Sequence, residues 1–188
     1  MKRSYFLPFV LSLLSLLPTL FLKAQTPAAI AYVTVQGSKQ GNFKGSENVS
    51  GKQGSIECIG FSYMVQDALD QASGAPVGKH THSPVMIVKR LDATTPQFLQ
   101  AAYTNESLKS VIIEFTKRSA DGKTIVSKTV TLTNAMVSRV SQFGGTTATG
   151  QQLQNAGLFE EISLIFQKIE FTDNEAKIGT TDNWSTSR

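Results

Sequence analysis

Two histidines, His80 and His82, have the residue type and the spacing that could bind a metal ion. They lie two positions apart, at the exit of a long polar loop and just before a predicted strand, so both side chains could ligate a metal ion from one face. A zinc site needs three or four protein ligands, and no Asp, Glu or Cys nearby in the sequence completes a set. We therefore interpret the pair as polar residues at a loop edge and predict no metal.

The other reactive residue types lack the neighbours that catalysis requires. Cys58 is the only cysteine, which excludes an intrachain disulfide, and no base is paired with it, so we expect a buried, inert thiol. Glu160 and Glu161 could act as acid and base, but adjacent residues on a strand point to opposite faces. Gly144-Gly145 is not followed by the Lys-Ser/Thr of a phosphate-binding loop. The sequence predicts no catalytic residue, no cofactor and no enzyme.

The segments that would hold these residues are mostly strands, recognised by alternating apolar side chains and flanking turn residues. They are Ile30–Gln36, Ser55–Gln66, Pro84–Leu91, Leu108–Arg118, Lys123–Leu132, Ala135–Phe143 and Leu158–Phe171. Asp121-Gly122 predicts a hairpin turn. The pattern breaks near Asn134, and its phase changes near Gln167-Lys168, which indicates a bulge.

One short helix interrupts the strands. Thr95 is suited to the N-cap and Pro96 to the first helical position, and Phe98 and Leu99 begin an apolar stripe. The helix should end near residues 103–105. Strands that do not alternate with helices predict a mainly antiparallel β domain.

The connection Gln66–Thr81 is about 16 residues long, which exceeds an ordinary hairpin loop. We interpret it as an extended arm that leaves the domain and contacts a neighbouring subunit. A hairpin extension without a partner is the alternative, because surface loops tolerate insertion.

Charge gives little reason to expect a nucleic-acid partner. The 188 residues include 18 basic and 14 acidic side chains, a net charge of +4. Lys2, Arg3 and Lys23 lie in the first 23 residues, and without them the two signs nearly balance. The remaining chain has no arginine-rich run, so the electrostatic footprint of a nucleic-acid binder is missing.

The first residues have the order of a secretory signal peptide. Lys2 and Arg3 precede the apolar run Tyr5–Leu22, and Ala24 follows as the small residue before cleavage. A retained anchor is the competing interpretation, but prolines interrupt the run. We predict a signal peptide at 1–24, a β domain at 25–173 and a polar tail at 174–188. The mature chain would be secreted or periplasmic, without a stable membrane anchor.

Five stretches in a fixed order carry a resemblance to a known family. They are Ile59–Tyr63, His82–Asp92 with Lys89-x-x-Asp92 at its end, Thr95–Ala101, Leu132–Ser141 and Glu161–Phe171. Together they resemble the Hcp family, the haemolysin-coregulated proteins that form the inner tube of type VI secretion systems. Phe171 stands where that family commonly has Trp, and the likeness spans about residues 30–173.

The resemblance implies a compact antiparallel two-sheet β-barrel with one short α-helix and no catalysis. It also implies a homo-hexameric ring that stacks into a tube and carries effector proteins in its lumen. In the family, a loop at this place contacts the next ring, which makes Asp67, Leu69, Val77 and His80 candidate inter-ring residues. Because typical members carry no signal peptide, the alternative is an independently exported Hcp-like module. Such a module would bind a surface, a glycan or a small protein.

Overall fold

The computed structural model describes residues 29–75, 77–144 and 157–183, so the predicted signal peptide lies outside the described residues, as does most of the predicted loop 144–157. Within the described ranges the chain forms eleven strands and one helix. In chain order they are β1 (Ala31–Gly37), β2 (Ile56–Cys58), β3 (Gly60–Ser62), β4 (Val65–Gln66), β5 (Thr81–His82), β6 (Val85–Arg90), α1 (Thr95–Thr104), β7 (Leu108–Arg118), β8 (Thr124–Gly144), β9 (Leu158–Ile165), β10 (Lys168–Asp173) and β11 (Ile178–Asn183).

The strands form one large sheet path and a separate two-stranded ladder. The path runs β2-β1-β7-β8-β9-β6-β3, with β10 added on β8 and β11 on β10, while β4 pairs only with β5. Every pair is antiparallel. The prediction of a mainly β, antiparallel fold with one short helix is confirmed.

The predicted β-barrel is not closed. The path is open, with β2 and β3 at its two ends. These strands belong to the predicted strand Ser55–Gln66, which the structure divides into β2, β3 and β4. Cys58 still pairs with β1, whereas the Ile59 N–H already donates to the Val88 carbonyl of β6 at 2.8 Å. The segment changes partners there, so the sheet wraps around the core without a closed ladder.

β8 is a single strand of 21 residues that crosses the predicted break at Asn134. Asn134 has a φ of 50°, and the Asn134 Nδ2–H donates to Gln167 Oε1 at 2.6 Å. Before this residue β8 pairs with β7 and β10, and beyond it mainly with β9. The predicted strand Leu158–Phe171 divides at the same level into β9 and β10. The predicted break near Asn134 and the predicted phase change near Gln167-Lys168 therefore mark one bend of the sheet.

Helix α1 covers one side of the core and begins one residue earlier than predicted. Its N-cap is Thr94 rather than Thr95, and the Thr95 hydroxyl donates to Glu160 Oε1 at 2.8 Å. The helix ends at Thr104. Its C-cap is Asn105, which has a left-handed φ of 48° and donates its N–H to the last helical carbonyls. Phe98 is buried and meets Phe43 edge to face, with the ring centroids 5.1 Å apart.

Buried aliphatic residues from β1, β6, β7, β8 and β9 form the core beneath α1. They include Val33, Val35, Val85, Ile87, Val111, Ile113, Leu132, Ile162 and Leu164. These are the alternating positions of the predicted strands, as the period of two requires. The core is accordingly filled by side chains of the predicted strands.

The polar segment after Asp173 contributes a strand that the sequence pattern did not reveal. β11 pairs with β10 from Asp173↔Ile178 to Lys168↔Asn183. Its exposed, polar residues give no apolar alternation, so only the neighbouring strand identifies it. This strand carries Asp182 to the base of the long connection between β4 and β5.

Candidate functional site

Residues 67–80 are called the arm, and its described parts, 67–75 and 77–80, extend from a short stem. The stem is the pairing of β4 with β5, with Val65 opposite His82 and Gln66 opposite Thr81. Further out, the Val77 N–H donates to the Ala68 carbonyl at 2.8 Å. The described part of the arm is thus held by its own backbone hydrogen bonds.

Asp70 organises the turn at the end of the arm. The Asp70 carboxylate accepts hydrogen bonds from the N–H of Ser73 at 2.8 Å and the N–H of Ala72 at 3.1 Å. The N–H of Ser73 and then its hydroxyl lower the pKa of Asp70. Gly74 follows with a φ of 67°, a conformation that glycine adopts without strain. The turn is therefore specified by local sequence and does not depend on the core.

The predicted inter-ring residues occupy two different environments. Asp67, Leu69 and Val77 lie on the exposed part of the arm, where Leu69 and Val77 leave 58% and 46% of their surface accessible. His80, by contrast, lies at the base of the arm and contacts Asp182 of the same chain. Leu69 and Val77 are thus accessible to a partner protein, whereas His80 is in contact with Asp182 of its own chain.

At that base, His80, His82 and Asp182 form a compact cluster. Asp182 Oδ2 is in hydrogen-bond contact with His80 Nε2 and lies 2.7 Å from His82 Nε2. The Asn183 N–H donates to Asp182 Oδ1 at 2.7 Å and fixes the carboxylate. On the other side of the imidazole, the Tyr63 hydroxyl lies 2.5 Å from His82 Nδ1. One ligand atom from each of the two histidines and Asp182 falls within 4.8 Å of the others.

Aromatic rings surround the inner side of this cluster. The His82 side chain is only 6% exposed, against 40% for His80. The His82 ring stacks on Tyr63 with centroids 5.9 Å apart and meets Phe166 edge to face at 5.6 Å. A cavity of about 220 Å³ opens beside it, with His82, Asp182 and Phe171 in its wall. The cluster therefore has an inner side packed against aromatic rings and an accessible outer side.

The electrostatics of the cluster favour a charged carboxylate. The hydrogen bond from His80 is the main reason that the pKa of Asp182 is lowered, with further contributions from His82 and the Asn183 N–H. The pKa of Tyr63 is raised, first by burial and then by the negative charge of Asp182. The site thus presents an anionic oxygen between two imidazoles.

Asp182 corrects one step of the sequence argument. The sequence predicts no metal because no acidic residue near the histidines in the chain completes a ligand set, yet Asp182 lies against both of them. It is 100 residues from His82 in the sequence. Only the pairing of β11 with β10 brings it there, and neither motif nor spacing signals that pairing.

Lys89 and Asp92 of the Lys-x-x-Asp motif form a second polar cluster, which is buried. Lys89 Nζ lies 2.6 Å from Glu160 Oε1 and 2.8 Å from Asp92 Oδ1, and it also donates to the Arg90 carbonyl at 2.7 Å. The side chains of Lys89 and Glu160 are fully buried. This network joins β6 and β9 to the start of α1, which gives the motif a structural role.

The remaining residues considered for catalysis lie apart. Glu160 is buried, while its neighbour Glu161 is only partly buried on the other face of β9, as the strand geometry predicts. Cys58 is buried, and burial raises the pKa of its thiol to about 11. The predicted burial is confirmed, and the raised pKa agrees with the expectation of an inert thiol, which stays a prediction.

Most of the chain matches the model of one protein family. The family model described as "Type VI secretion system effector, Hcp" matches residues 32–172. The chain belongs to the Hcp family. That span runs from β1 to β10 and includes the arm, the histidine pair and the buried lysine, whereas β11 lies beyond it.

Individual Hcp relatives are similar to this chain over most of their own length. The "Major exported protein" of Pseudomonas aeruginosa PAO1 is 27% identical over 168 residues, which cover 84% of this chain and 96% of that protein. The Hcp1 structure from the E. coli EAEC 042 pathovar matches with a TM-score of 0.72 at 24% identity, over 84% of this chain and 99% of that one. The secreted protein Hcp3 from Pseudomonas aeruginosa matches with a TM-score of 0.66 at 23% identity, over 82% and 99%. These two structural likenesses establish the Hcp fold for this chain.

The Hcp fold in this chain has no candidate transmembrane helix among its described residues. α1 spans ten residues, and no described helix has the length and apolar character needed to cross a bilayer.

Proposed function

We propose that this protein is a non-enzymatic structural subunit of a type VI secretion tube. Six copies would form a ring, the rings would stack through the arm, and effector proteins would travel in the lumen. The number six, the lumen and its cargo come from the Hcp resemblance. The observation that carries the proposal is the ordered arm with exposed apolar side chains.

The arm has the properties of a contact surface. Leu69 and Val77 expose large apolar areas on a segment that is held by its own hydrogen bonds. An ordered segment loses less conformational freedom on binding than a flexible one. Exposed apolar groups that cluster on one projection are typical of interaction sites. This supports docking of the arm onto a second copy.

The outer face of β6 supports contacts within a ring. Met86 and Val88 point away from the core residues Val85 and Ile87 and are only partly buried. Ile165 at the end of the neighbouring strand β9 is exposed. A head-to-tail contact that closes on itself produces a ring, and such a contact would cover these apolar groups.

The predicted signal peptide changes where assembly would occur. A subunit exported singly would form rings outside the cytoplasm, unlike a typical family member. The alternative function is an exported Hcp-like module that binds a surface, a glycan or a small protein and builds no tube. The two functions differ in self-association, which can be measured directly.

The experiment is electron microscopy and light scattering of the chain that begins at Gln25. We expect rings whose mass corresponds to six copies, and stacks of rings at high concentration. Leu69→Lys and Val77→Lys should keep the ring and lose the stacks, because a charge on the arm opposes burial. Val49→Lys is the matched control, since Val49 is 44% exposed in the separate loop between β1 and β2.

Two outcomes would contradict the proposal. A protein that stays monomeric over a wide concentration range is not a tube subunit, and glycan or surface binding by that monomer would support the alternative. Stacks that persist in both arm variants would exclude the arm as the inter-ring contact.

A further inference from the structure

We infer that His80, His82 and Asp182 bind a divalent transition-metal ion of the Zn²⁺ type, which fastens the base of the arm to β11. The three side chains come from β5, from the residue before it and from β11. They offer two imidazole nitrogens and one carboxylate oxygen, the donor set that Zn²⁺ and similar ions accept. The ion would therefore join two elements that share no backbone pairing.

The ligand atoms already lie near one another, as the ligands of a bound ion do. Zn²⁺ binds imidazole nitrogen at about 2.0–2.1 Å and carboxylate oxygen at about 2.0–2.2 Å, which places tetrahedral ligands roughly 3.4 Å apart. His82 Nε2 and Asp182 Oδ2 are 2.7 Å apart, and the three ligand atoms fit within 4.8 Å of one another. For His82 Nε2 and Asp182 Oδ2, replacing the shared proton by an ion means a separation of roughly 3.4 Å in place of 2.7 Å.

The surrounding groups orient the ligands as they do in metal sites. A metal-bound histidine usually donates its other ring N–H to an oxygen, which fixes the ring. The Tyr63 hydroxyl lies 2.5 Å from His82 Nδ1 and can accept that bond when Nε2 faces the ion. The Asn183 N–H holds Asp182 Oδ1 and leaves Oδ2 directed at the imidazoles. His82 and Asp182 are therefore oriented before an ion arrives.

The three ligands found among the described residues leave one of the four tetrahedral positions for a further ligand. His80 and Asp182 are partly exposed, and the cavity of about 220 Å³ borders His82 and Asp182. Water can occupy the fourth position from this side. The inference deepens the proposed function, since the ion would stiffen the arm that we propose as the inter-ring contact, but binding of the ion itself does not require stacking.

The test is calorimetric titration of the untagged chain from Gln25 with Zn²⁺. A polyhistidine tag must be absent, because it would itself bind Zn²⁺ and would outnumber the two histidines of the chain. We expect one Zn²⁺ per chain and no comparable binding of Mg²⁺, which prefers an all-oxygen site. Co²⁺ in place of Zn²⁺ should give the intense visible absorption of tetrahedral coordination.

Variants at and around the site decide whether these residues are the ligands. Because changing a group that only orients a ligand already costs 10- to 100-fold in affinity, His80→Ala and Asp182→Asn should each lower Zn²⁺ affinity by roughly a hundredfold or more. Tyr63→Phe should lower it about tenfold. Asp121→Asn, in the distant hairpin turn, is the control and should bind as the unchanged chain does.

A second measurement links the ion to the arm. Amide hydrogen exchange at residues 77–80 should slow when Zn²⁺ is added, and this protection should be absent in His80→Ala. Lack of saturable Zn²⁺ binding, or equal affinity in His80→Ala, would overturn the inference. Stacking is measured separately by electron microscopy, so its failure would contradict the proposed function and leave the metal result standing.

Discussion

At the residue scale, buried Lys89 shows why a short motif can be structural. A lysine that is removed from water needs opposite charges and hydrogen-bond acceptors, because an uncompensated buried charge is very unfavourable. Glu160, Asp92 and the Arg90 carbonyl provide them within 2.8 Å of Lys89 Nζ. The Lys-x-x-Asp spacing places one of these acceptors in the turn that precedes α1.

Removing Lys89 should therefore destabilise the fold strongly. Lys89→Met leaves Glu160 and Asp92 without their cation and should lower the free energy of unfolding by about 3–5 kcal/mol. Lys128→Met is the control, because Lys128 forms its ion pair with Asp173 on the exposed surface and should have little effect. Urea denaturation measures both. Equal stability of Lys89→Met and the unchanged chain would contradict this account.

Asp173 should make a pH-dependent contribution to stability. The N–H of Ala176 and the Lys128 ammonium lower its pKa from 3.8 to about 2 in the folded chain. The folded pKa lies below the unfolded one, so the contribution is present above pH 3.8 and is lost as the pH falls towards 2.

Asp173→Asn should thus be less stable than the unchanged chain at pH 7, and the two should converge between pH 3.8 and 2. Urea denaturation over a pH series measures the difference. Lys128→Met retains the backbone donors and should keep part of the pH dependence. A difference that stays constant down to pH 2 would argue against this cause.

At the element scale, β8 links both halves of the sheet because Asn134 lets one strand bend. A left-handed conformation costs most L-residues about 1–2 kcal/mol, while Gly adopts it freely and Asn more readily than most. Asn134→Val should lower the free energy of unfolding by about 1–2 kcal/mol more than Asn134→Gly does. Both variants lose the bond to Gln167, so thermal or urea unfolding of the pair isolates the backbone effect. Equal losses would mean that the side-chain bond matters and the φ angle does not.

The arm is an element that the core does not need. Its residues are almost all exposed, and the stem pairing of β4 with β5 lies on the core side of residue 67. Replacing 67–78 by a short Gly-Ser turn should leave the cooperative unfolding transition nearly unchanged and abolish or weaken stacking of rings. Calorimetry and electron microscopy measure these outcomes. A shortened chain that does not fold would place the arm in the core, and unchanged stacking would exclude it from the inter-ring contact.

At the scale of the whole molecule, the sequence predicts what depends on local periodicity and misses what depends on distant pairing. β7 begins and ends as predicted, and α1 agrees within one residue at its start, because alternation and Pro96 are local signals. The division of Ser55–Gln66 and the pairing of β11 depend on neighbouring strands. His80 and His82 were visible as candidates, but Asp182 could not be joined to them without that pairing. Two of the three residues of the candidate site could therefore be found from the sequence, and the third could not.

The first 24 residues determine where the molecule assembles, because they decide whether the chain is exported and cleaved. Lys2, Arg3 and the apolar run Tyr5–Leu22 have the order of a signal peptide. We expect the chain recovered from the cell envelope or the medium to begin near Gln25, with the mass measured on the intact protein. Lys2→Glu with Arg3→Glu should trap the uncleaved chain inside the cell, because the positive start directs insertion, whereas Lys39→Glu with Lys44→Glu in the mature loop should not. If the intact mass instead retained Met1 and the chain fractionated with the membrane, the segment would be an anchor. The subunits would then stay attached to the membrane after export, and rings would have to form on the membrane surface.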